Sequence, residues 1–223
     1  LVIEGLFGRV HNITTTKELM EKNLLSHLNI DCITLKYKLD EIEEVKRAKY
    51  DEEIKWILNN SKRNKFLVNL TCGIKGNTLV LFNYVKDHGI PLFESMQETC
   101  TDKNVYLIHG KTEVNYREEI RSILEKEENA ILVASYGTCS TGINIKNINN
   151  IVFASPSRSV IRVLQSIGRG LRKTETKDKV KLYDISDDLR YKKYVNHTYR
   201  HLQERIQIYD REKFEHSSVL IKL

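Results

Sequence analysis

Residues 105–134, VYLIHGKTEVNYREEIRSILEKEENAILVA, contain the pattern that decides the fold of this chain. Continuous apolar runs at 105–108 and 130–134 flank a segment whose apolar residues recur at i, i+4, i+7 and i+8 from Tyr116 to Leu124. Such runs are typical of strands buried on both faces of a parallel sheet, and that recurrence is typical of an amphipathic helix. The stretch therefore predicts a strand–helix–strand unit.

The same alternation extends along most of the chain. Strands that alternate with helices predict a three-layer α/β domain with a mainly parallel sheet. In such domains ligands bind at the carboxyl ends of the strands, so the expected functional loops follow residues 82, 108, 135 and 154. Further strands are predicted at 32–37, 78–82, 151–154 and 180–185, and residues 217–223 are predicted to form an edge strand or a packed arm. Helices are predicted at 51–60 and at 62–74, the second capped by Ser61, and a long helix is predicted from about Asp188.

The composition is typical of a soluble globular protein. Of the 223 residues, 40% are hydrophobic and 30% are charged, which argues against disorder. No apolar run approaches the roughly 20 residues that span a bilayer, and no signal peptide is visible. We therefore expect a cytoplasmic protein that does not enter membranes. The chain does not begin with Met, and we expect it to be a fragment of a longer protein.

The cysteines give no sign of a covalent or metal-bound framework. Cys32, Cys72, Cys100 and Cys139 are scattered and form no C-x-x-C pair. Zinc ligation and a disulfide framework are therefore not expected. Free thiols in a reducing cytosol are the prediction.

The net charge of +6 is concentrated in one short segment. Residues 156–181 hold eight Lys or Arg side chains and two acidic ones, so this segment alone carries +6 and the rest of the chain sums to zero. A basic excess in one segment is typical of a site for phosphate oxygens, although a solvated helix face has the same composition.

Part of this basic segment is predicted to form an amphipathic helix. Apolar residues recur with helical spacing from Val160 to Leu171 and form one face. Planar guanidinium groups suit bidentate recognition of phosphate, and glycines on both sides of Arg169 suit close approach by a neighbour. The opposite face carries three guanidinium groups and one amide, from Arg162, Gln165, Arg169 and Arg172.

Four motifs, in consistent order and spacing, resemble those of superfamily-two helicases. Q-x-x-G-R-x-x-R at 165–172 resembles motif VI, and SYGTCSTGIN at 135–144 resembles motif V. Upstream, residues 105–117 resemble the strand-HG-helix motif with its later arginine, and FNY at 82–84 fits motif IV.

The resemblance implies the second RecA-like lobe of a two-lobe, ATP-dependent DNA helicase or translocase that remodels branched DNA. It implies a connecting segment at 1–30, the RecA-like lobe at 31–186, and a C-terminal helix and tail at 187–223 that pack on the lobe. ATP would bind between the two lobes, with Mg²⁺ held mainly by the first. This lobe would supply the arginine finger and part of the nucleic-acid track.

Individual roles follow from the same resemblance. Arg172 is the expected arginine finger, and Arg169 is expected to share that role. Gln165, Gly142 and Asn144 are expected to contact the nucleotide. The residues expected to contact DNA phosphates are Thr138, Ser135, Lys86, His109 and Lys111. For His109, an ordinary structural role in its loop is the alternative. Arg117 either steadies its loop or contacts the DNA strand.

The chain lacks a phosphate loop of the G-x-x-x-x-G-K-[ST] type. Gly110-Lys111-Thr112 is a fragment of that pattern, but the residue five positions before Gly110 is Val105. Asp40-Glu41 does not follow an apolar strand, so it indicates a solvated helix start rather than a magnesium motif. We therefore expect no ATP hydrolysis by this lobe alone.

Two other classes of protein stay open. A non-catalytic binding module with a degenerate RecA-like fold is one, although such a module would not need arginines aimed at phosphate. The motor subunit of a restriction enzyme, which shares these motifs, is the other.

The C-terminal region is less informative. Tyr191, Tyr194 and Tyr199 lie among basic residues, an arrangement that suits stacking on nucleic-acid bases. Positions in the core and rim of a helix are the favoured interpretation.

Overall fold

A computed structural model describes residues 27–140, 147–156 and 179–223 of the chain. Within these ranges the strands form one sheet in the order β3-β4-β2-β5-β6-β1-β7, and every pairing is parallel. The predicted parallel sheet is therefore confirmed. The strands are β1 His27–Lys36, β2 Thr78–Phe82, β3 Val105–Ile108, β4 Ile131–Ser135, β5 Asn150–Phe153, β6 Lys179–Asp188 and β7 Glu215–Lys222.

Helices cover both faces of this sheet. They are α1 Leu39–Glu44, α2 Tyr50–Asn59, α3 Ser61–Gly73, α4 Ile90–Thr99, α5 Val114–Leu124, α6 Tyr136–Ser140 and α7 His197–Arg211, and a single π-helical turn, Val85–Gly89, precedes α4. One core contains Leu67 of α3 and Leu92 of α4. The other contains Leu124 of α5 and Leu202 of α7. The predicted three-layer α/β architecture is confirmed.

The central strands are apolar on both faces because both faces are covered. Every residue of β2, β4 and β5 is buried. On β2, Leu79 and Leu81 belong to one core while Val80 and Phe82 belong to the other, as the alternation of side chains along a strand requires. The continuous apolar runs predicted β2, β3, β4 and β5 to within one residue at each end.

Strand β6 is longer than its apolar run, and the predicted C-terminal helix is present but does not start at about Asp188. Strand β6 continues through Asp188 and pairs over ten residues with β1, which itself begins at His27 rather than at residue 32. The acidic end of β6 is compatible with a strand because Asp184 and Asp187 are buried against cationic partners. The helix begins only at His197.

The carboxyl-terminal tail forms an edge strand. Strand β7 pairs in parallel with β1, which confirms the strand alternative for residues 217–223. Residues 27–30 belong to β1 rather than to a connector, and the rest of the predicted connecting segment lies outside the described residues. In the part of the chain that the structure describes, no helix is long and apolar enough to cross a membrane.

The first residues of α1 and α3 were both predicted from the sequence. The prediction for α1 is confirmed, and the predicted cap of α3 is wrong. Asp40 and Glu41 lie in the first turn of α1, as predicted for a helix start. The cap of α3 is Asn60 rather than Ser61, because the Asn60 side chain accepts a hydrogen bond from the Arg63 N–H at 3.0 Å.

The prediction of four free thiols is wrong. Cys72 and Cys100 form a disulfide with their Cα atoms 5.3 Å apart, while Cys32 and Cys139 are free and buried. The packing of α3 against α4 brings the paired cysteines together across 28 residues of sequence. No short motif marks a contact of that kind.

A buried carboxylate fixes the start of α7. Glu53 of α2 is only 1% exposed and accepts hydrogen bonds from the backbone N–H groups of His197 at 2.9 Å and Thr198 at 2.8 Å. It also accepts from the Thr198 hydroxyl at 2.7 Å and the Asn196 amide at 3.1 Å. A carboxylate at this position satisfies N–H groups that lack a partner within the helix and suits the helix dipole. Helices α2 and α7 are therefore tied together.

We predict that Glu53→Gln lowers the free energy of unfolding by about 1–3 kcal/mol, because a neutral amide cannot accept four hydrogen bonds as well as a carboxylate. Urea denaturation measures the change. Glu94→Gln, an exposed substitution on α4, is the matched control and should change stability by less than about 0.5 kcal/mol. Equal losses in the two variants would show that the cap does not stabilise the fold.

Candidate functional site

The predicted functional loops lie on one edge of the sheet. Because the strands are parallel, the loops that follow β2, β3, β4 and β5 leave from the same edge, and these four strands are consecutive in the sheet. Neighbouring strands lie about 5 Å apart, so the loops are close to one another. We call this surface the carboxyl rim, and it comprises residues 83–86, 109–112, 136–138 and 154–156.

Three successive backbone carbonyls after β5, those of residues 154–156, are each held by a different side chain. Arg63 of α3 donates from Nη2 to the first at 2.8 Å. The Tyr136 hydroxyl donates to the second at 3.3 Å, and the Asn83 amide donates to the third at 3.2 Å. We call these three side chains the carbonyl clamp. Three separate elements therefore fix the course of the chain immediately before residue 157.

The Ser155 side chain adds a fourth attachment. Its hydroxyl accepts a hydrogen bond from the Asn83 N–H at 3.1 Å and lies 2.8 Å from Nδ1 of His88, in the π-helical turn. Ser155 and His88 are both 1% exposed. The loops that follow β2 and β5 are therefore joined by buried hydrogen bonds.

His88 is neutral in the folded protein. Burial, and then the positive charge of Arg63, lowers the pKa of His88 well below its ordinary value of 6.5. Its Nε2 atom is buried and has no hydrogen-bond partner among the described residues. Protonation of His88 would place a second positive charge beside Arg63 in a buried position.

Arg63 is fully buried and pairs with Asp187 near the end of β6. The Arg63 Nε atom donates to Oδ1 of Asp187 at 2.8 Å, and the Tyr37 hydroxyl donates to the same oxygen at 2.6 Å. Burial opposes the charge of Arg63, but the charge and hydrogen bond of Asp187, together with Tyr37, outweigh burial and raise the pKa of the guanidinium. Burial and the Asp187 carboxylate also raise the pKa of Tyr37 well above 10.0. The network therefore keeps Arg63 charged and Tyr37 protonated.

The loop after β3 is steadied by Arg117. The Arg117 Nη2 atom donates to the carbonyls of His109 at 3.2 Å and Gly110 at 3.0 Å. The His109 N–H donates to the Thr112 hydroxyl at 2.9 Å, and the Lys111 N–H donates to Nδ1 of His109 at 3.3 Å. The first of the two roles left open for Arg117 is thus observed. Lys111 is exposed and His109 is half-buried on this ordered loop.

Lys86 is exposed in the π-helical turn. Gly89 ends this turn, and a Cβ atom placed there would lie 2.4 Å from the Phe82 ring. Only glycine therefore lets the turn pack so closely against the end of β2. This contact fixes the element that carries Lys86.

Ser135 and Thr138 are buried, with exposed fractions of 8% and 5%. Their hydroxyl oxygens are 2.7 Å apart, and the Ser135 hydroxyl also accepts a hydrogen bond from the Thr138 N–H at 3.3 Å. This pattern is typical of a helix cap. Both hydroxyls therefore shape the turn that begins α6.

The structure brings together half of the predicted site residues. Ser135, Thr138, Lys86, His109 and Lys111 lie at the carboxyl ends of three neighbouring strands, β4, β2 and β3. The other five, Gly142, Asn144, Gln165, Arg169 and Arg172, lie outside the described residues. Within the described ranges, no group of three or more His, Cys, Asp or Glu side chains is placed to hold a metal ion.

The carbonyl clamp, and the Asp187 and His88 side chains that support it, were not predicted from the sequence. One usable signal was present, because Arg63, Leu67 and Thr71 recur at helical spacing and form the buried stripe of α3. A charged residue on an apolar stripe indicates a buried partner. Asn83 and Tyr136 fall inside the quoted motifs without a recognised role, and nothing in the sequence marked His88.

The parallel sheet, the helices on both of its faces and the loops on one rim define a RecA-like α/β domain. Residues 61–174, about half of the chain, match the family model described as the helicase conserved C-terminal domain. The chain belongs to this family of helicase C-terminal domains.

Individual relatives agree with this assignment. Over 232 residues the chain is 35% identical to the ATP-dependent DNA helicase uvsW of Enterobacteria phage T4, covering 98% of this chain and 46% of that protein. The crystal structure of T4 UvsW matches with a TM-score of 0.77 at 33% identity, covering 98% of this chain and 44% of that one. The chain thus spans about half the length of the curated relative that it matches.

A restriction-enzyme component shares the fold. A putative HsdR subunit of a type I restriction enzyme from Vibrio vulnificus YJ016 matches with a TM-score of 0.67 at 16% identity. The match covers 98% of this chain and 41% of that one. At this identity the likeness concerns the fold alone.

We predict that His88 makes stability depend on pH below about 6.5. The unfolded histidine takes up a proton near pH 6.5, whereas the folded histidine stays neutral to a much lower pH. The unfolded state then binds more protons, so the free energy of unfolding should fall by about 1.4 kcal/mol for each pH unit below that point.

His88→Gln should remove this component, which urea denaturation at neutral pH and at about pH 5.5 would measure. The matched control is His27→Gln, an exposed substitution at the start of β1, which should keep the dependence of the unsubstituted protein. The same pH dependence in His88→Gln and the unsubstituted protein would contradict the assignment.

Proposed function

We propose that this chain is the C-terminal motor lobe of an ATP-dependent DNA helicase or translocase that remodels branched DNA, such as forks, junctions and recombination intermediates. The observation that carries the proposal is the 35% identity, over 98% of the chain, to a phage ATP-dependent DNA helicase. The family match over residues 61–174 contains all four motifs, which extend from 82 to 172. A phage-encoded motor of this kind would serve recombination and repair in the cytoplasm of its bacterial host.

In this proposal Arg172 supplies the arginine finger and Arg169 shares its role. An arginine presented to ATP from a second lobe stabilises the charge that develops on the transferring phosphoryl group. Gln165, Gly142 and Asn144 contact the nucleotide. The carbonyl clamp supports this assignment, because it anchors residues 154–156 at the carboxyl rim, just ahead of the segment that contains both arginines.

Magnesium is held by the first lobe in this proposal. The described residues of this chain do not fit a magnesium site, since they contain no suitable cluster of acidic side chains. The sequence also lacks a phosphate loop. The first RecA-like lobe is therefore a necessary partner, and this lobe alone does not hydrolyse ATP. The match to only 46% of the helicase relative leaves room for such a lobe.

The nucleic-acid track of this lobe runs along the carboxyl rim. Lys86, His109 and Lys111 contact the phosphate backbone, which carries no sequence information and therefore suits a motor that moves along any sequence. Ser135 and Thr138 act through the turn that they hold, since their hydroxyls are buried and bonded to each other.

A second candidate function is the motor subunit of a restriction enzyme. It stays open because the motifs are shared with such subunits, and the fold is also that of a putative HsdR subunit. A methyltransferase or nuclease encoded beside this chain would favour that reading. A third candidate, a non-catalytic binding module, requires that the assembled two-lobe protein lack DNA-stimulated ATP hydrolysis.

We predict that Arg172→Ala, in a two-lobe protein that contains this chain, lowers the kcat of DNA-stimulated ATP hydrolysis by about 10³-fold. The KM for ATP should change little, because the finger acts mainly in the transition state. A phosphate-release assay gives both values. Arg211→Ala, which removes an exposed guanidinium at the end of α7, is the control. A rate for Arg172→Ala within a factor of two of the unsubstituted rate would show that the finger assignment is wrong.

We predict that Arg117→Gln weakens binding of single-stranded DNA several-fold, because the loop that presents Lys111 loses two hydrogen bonds to its carbonyls. Lys111→Gln should weaken binding and also lower the salt dependence by about one unit of slope. Fluorescence anisotropy at several salt concentrations measures both effects. Arg121→Gln, on the same helix but paired with Glu118 and Glu125 at the surface, should bind normally, and an equal loss in that variant would count against a role for the loop.

A further inference from the structure

Two loops outside the helicase motifs form a compact basic surface. Residues 46–49 join α1 to α2, and residues 190–193 follow β6. Six of these eight residues are Lys or Arg and none is acidic. We call the two loops together the basic corner. Its cations are Lys46, Arg47, Lys49, Arg190, Lys192 and Lys193, and all six are exposed.

The basic corner is an ordered structure rather than two independent loops. The Tyr194 hydroxyl donates to the Ala48 carbonyl at 3.3 Å, which joins one loop to the other. Tyr191 and Tyr194 exchange backbone hydrogen bonds of 3.1 and 2.9 Å across the turn. The ammonium groups of Lys46 and Lys192 lie 5.7 and 5.2 Å from the centre of the Tyr191 ring, one from each loop.

Among the residues that the structure describes, most of the cations of the basic corner have no acidic side chain paired with them. Arg190 is the exception, because it pairs with Asp188 at 2.8 Å and lies 4.3 Å from the centre of the Tyr199 ring. None of the other five cations forms an ion pair with another described residue. Two further carboxylates contact the corner without pairing with its cationic side chains: Glu43 accepts a hydrogen bond from the Tyr191 hydroxyl at 3.0 Å, and Glu52 accepts one from the Lys49 backbone N–H at 2.9 Å.

The backbone holds two of these cations in an unfavourable conformation. Arg47 and Lys192 have φ angles of 60° and 52°. Glycine and asparagine are the usual residues in this left-handed region, because other side chains are disfavoured there by steric contacts. The chain instead carries a long cationic side chain at each position. Residues that persist in such conformations are enriched at binding sites.

The basic corner lies on the same edge of the sheet as the carboxyl rim but beyond β5. Residues 190–193 follow the carboxyl end of β6, and Lys36, also exposed, ends the neighbouring strand β1. The proposed track follows β3, β4 and β2, on the other side of β5 in the strand order. Nucleic acid on the track and nucleic acid on the corner would therefore occupy different parts of one edge.

We propose that the basic corner is a second nucleic-acid binding surface, which contacts the phosphate backbone of a DNA arm other than the strand on the track. This inference rests on the proposed function and extends it to a branched substrate. Exposed, unpaired lysines suit phosphate groups. A protein partner is less suited, because protein interfaces are depleted in lysine and are anchored by apolar side chains, and none of the exposed large hydrophobic residues of the described chain lies in the corner.

The test uses a two-lobe protein that contains this chain and the triple variant Lys46→Gln, Lys192→Gln and Lys193→Gln. Glutamine keeps most of each side chain and removes its charge. The matched control is Lys65→Gln, Lys126→Gln and Lys213→Gln, which also removes three exposed charges and includes one residue with a positive φ angle. Thermal unfolding of both triple variants checks that the fold is intact.

The probes are a short single strand and a fork that carries the same strand joined to a duplex arm. The corner triple should weaken binding of the fork about tenfold and lower the slope of log K against log salt by about 2–3, since each lost phosphate contact accounts for about 0.9. Binding of the single strand should stay within about twofold of the unsubstituted protein. The control triple should bind both probes normally.

Three results would overturn the inference. Unchanged binding of the fork by the corner triple is the first, and an equal loss in the control triple is the second. The third result concerns contact between the two lobes, which size-exclusion chromatography measures after the chain is cleaved between them. If the corner triple binds DNA normally but its lobes separate, the partner of the corner is an acidic protein surface.

The basic corner and the proposed track are tested with different variants, so failure of this inference can be distinguished from failure of the proposed function. Lys86→Gln combined with Lys111→Gln tests the track and should weaken binding of both probes. If that double variant binds the single strand normally, the track assignment fails. The corner is judged separately, by the difference between the fork and the single strand in its own triple variant.

Discussion

The buried ion pair between Arg63 and Asp187 ties together the parts of the domain that must stay in register for the carboxyl rim to exist. Arg63 comes from a helix on one face and Asp187 from a central strand, and the same guanidinium holds the Ala154 carbonyl. One nitrogen of Arg63 and one oxygen of Asp187 are buried and have no hydrogen-bond partner in the part of the chain that the structure describes. A buried pair tolerates little displacement, because either charge left alone has no water to solvate it. Helix α3 and strands β5 and β6 are therefore positioned together.

The effect of this charge extends to the neighbouring loop. Arg63 adds to the burial of His88 in keeping that ring neutral, and His88 holds the Ser155 hydroxyl. The Arg63 guanidinium thus holds the Ala154 carbonyl directly and influences the Ser155 side chain through His88. The last described residues before the gap at 157 are therefore held at the carboxyl rim from two sides.

The sequence predicted the layers of the fold well because those layers depend on local hydrophobic pattern. Strands β2 to β5 are short, continuous and apolar, so their bounds could be predicted directly. The long strand β6 could not, since its acidic end is stable only through partners such as Arg63 and Arg205, 124 and 21 residues away in sequence. The disulfide and the carbonyl clamp escaped prediction for the same reason. The general rule that ligands bind at the carboxyl ends of parallel strands located the rim, but some of the side chains that hold the rim lie outside the motifs.

A count of charges along the sequence does not reveal the basic corner, because folding brings together two loops that are far apart in the sequence. Outside residues 156–181 the chain sums to zero, which hides the basic corner because the acidic residues of α1 and α2 cancel it in the count. In three dimensions the first turn of α2 contains Asp51, Glu52 and Glu53, and Glu53 is turned inward to hold α7. One carboxylate is therefore withdrawn from the surface while the lysines beside it stay exposed. The cations of the basic corner thus form an exposed cluster at the carboxyl edge of the sheet, although the count along the sequence is neutral.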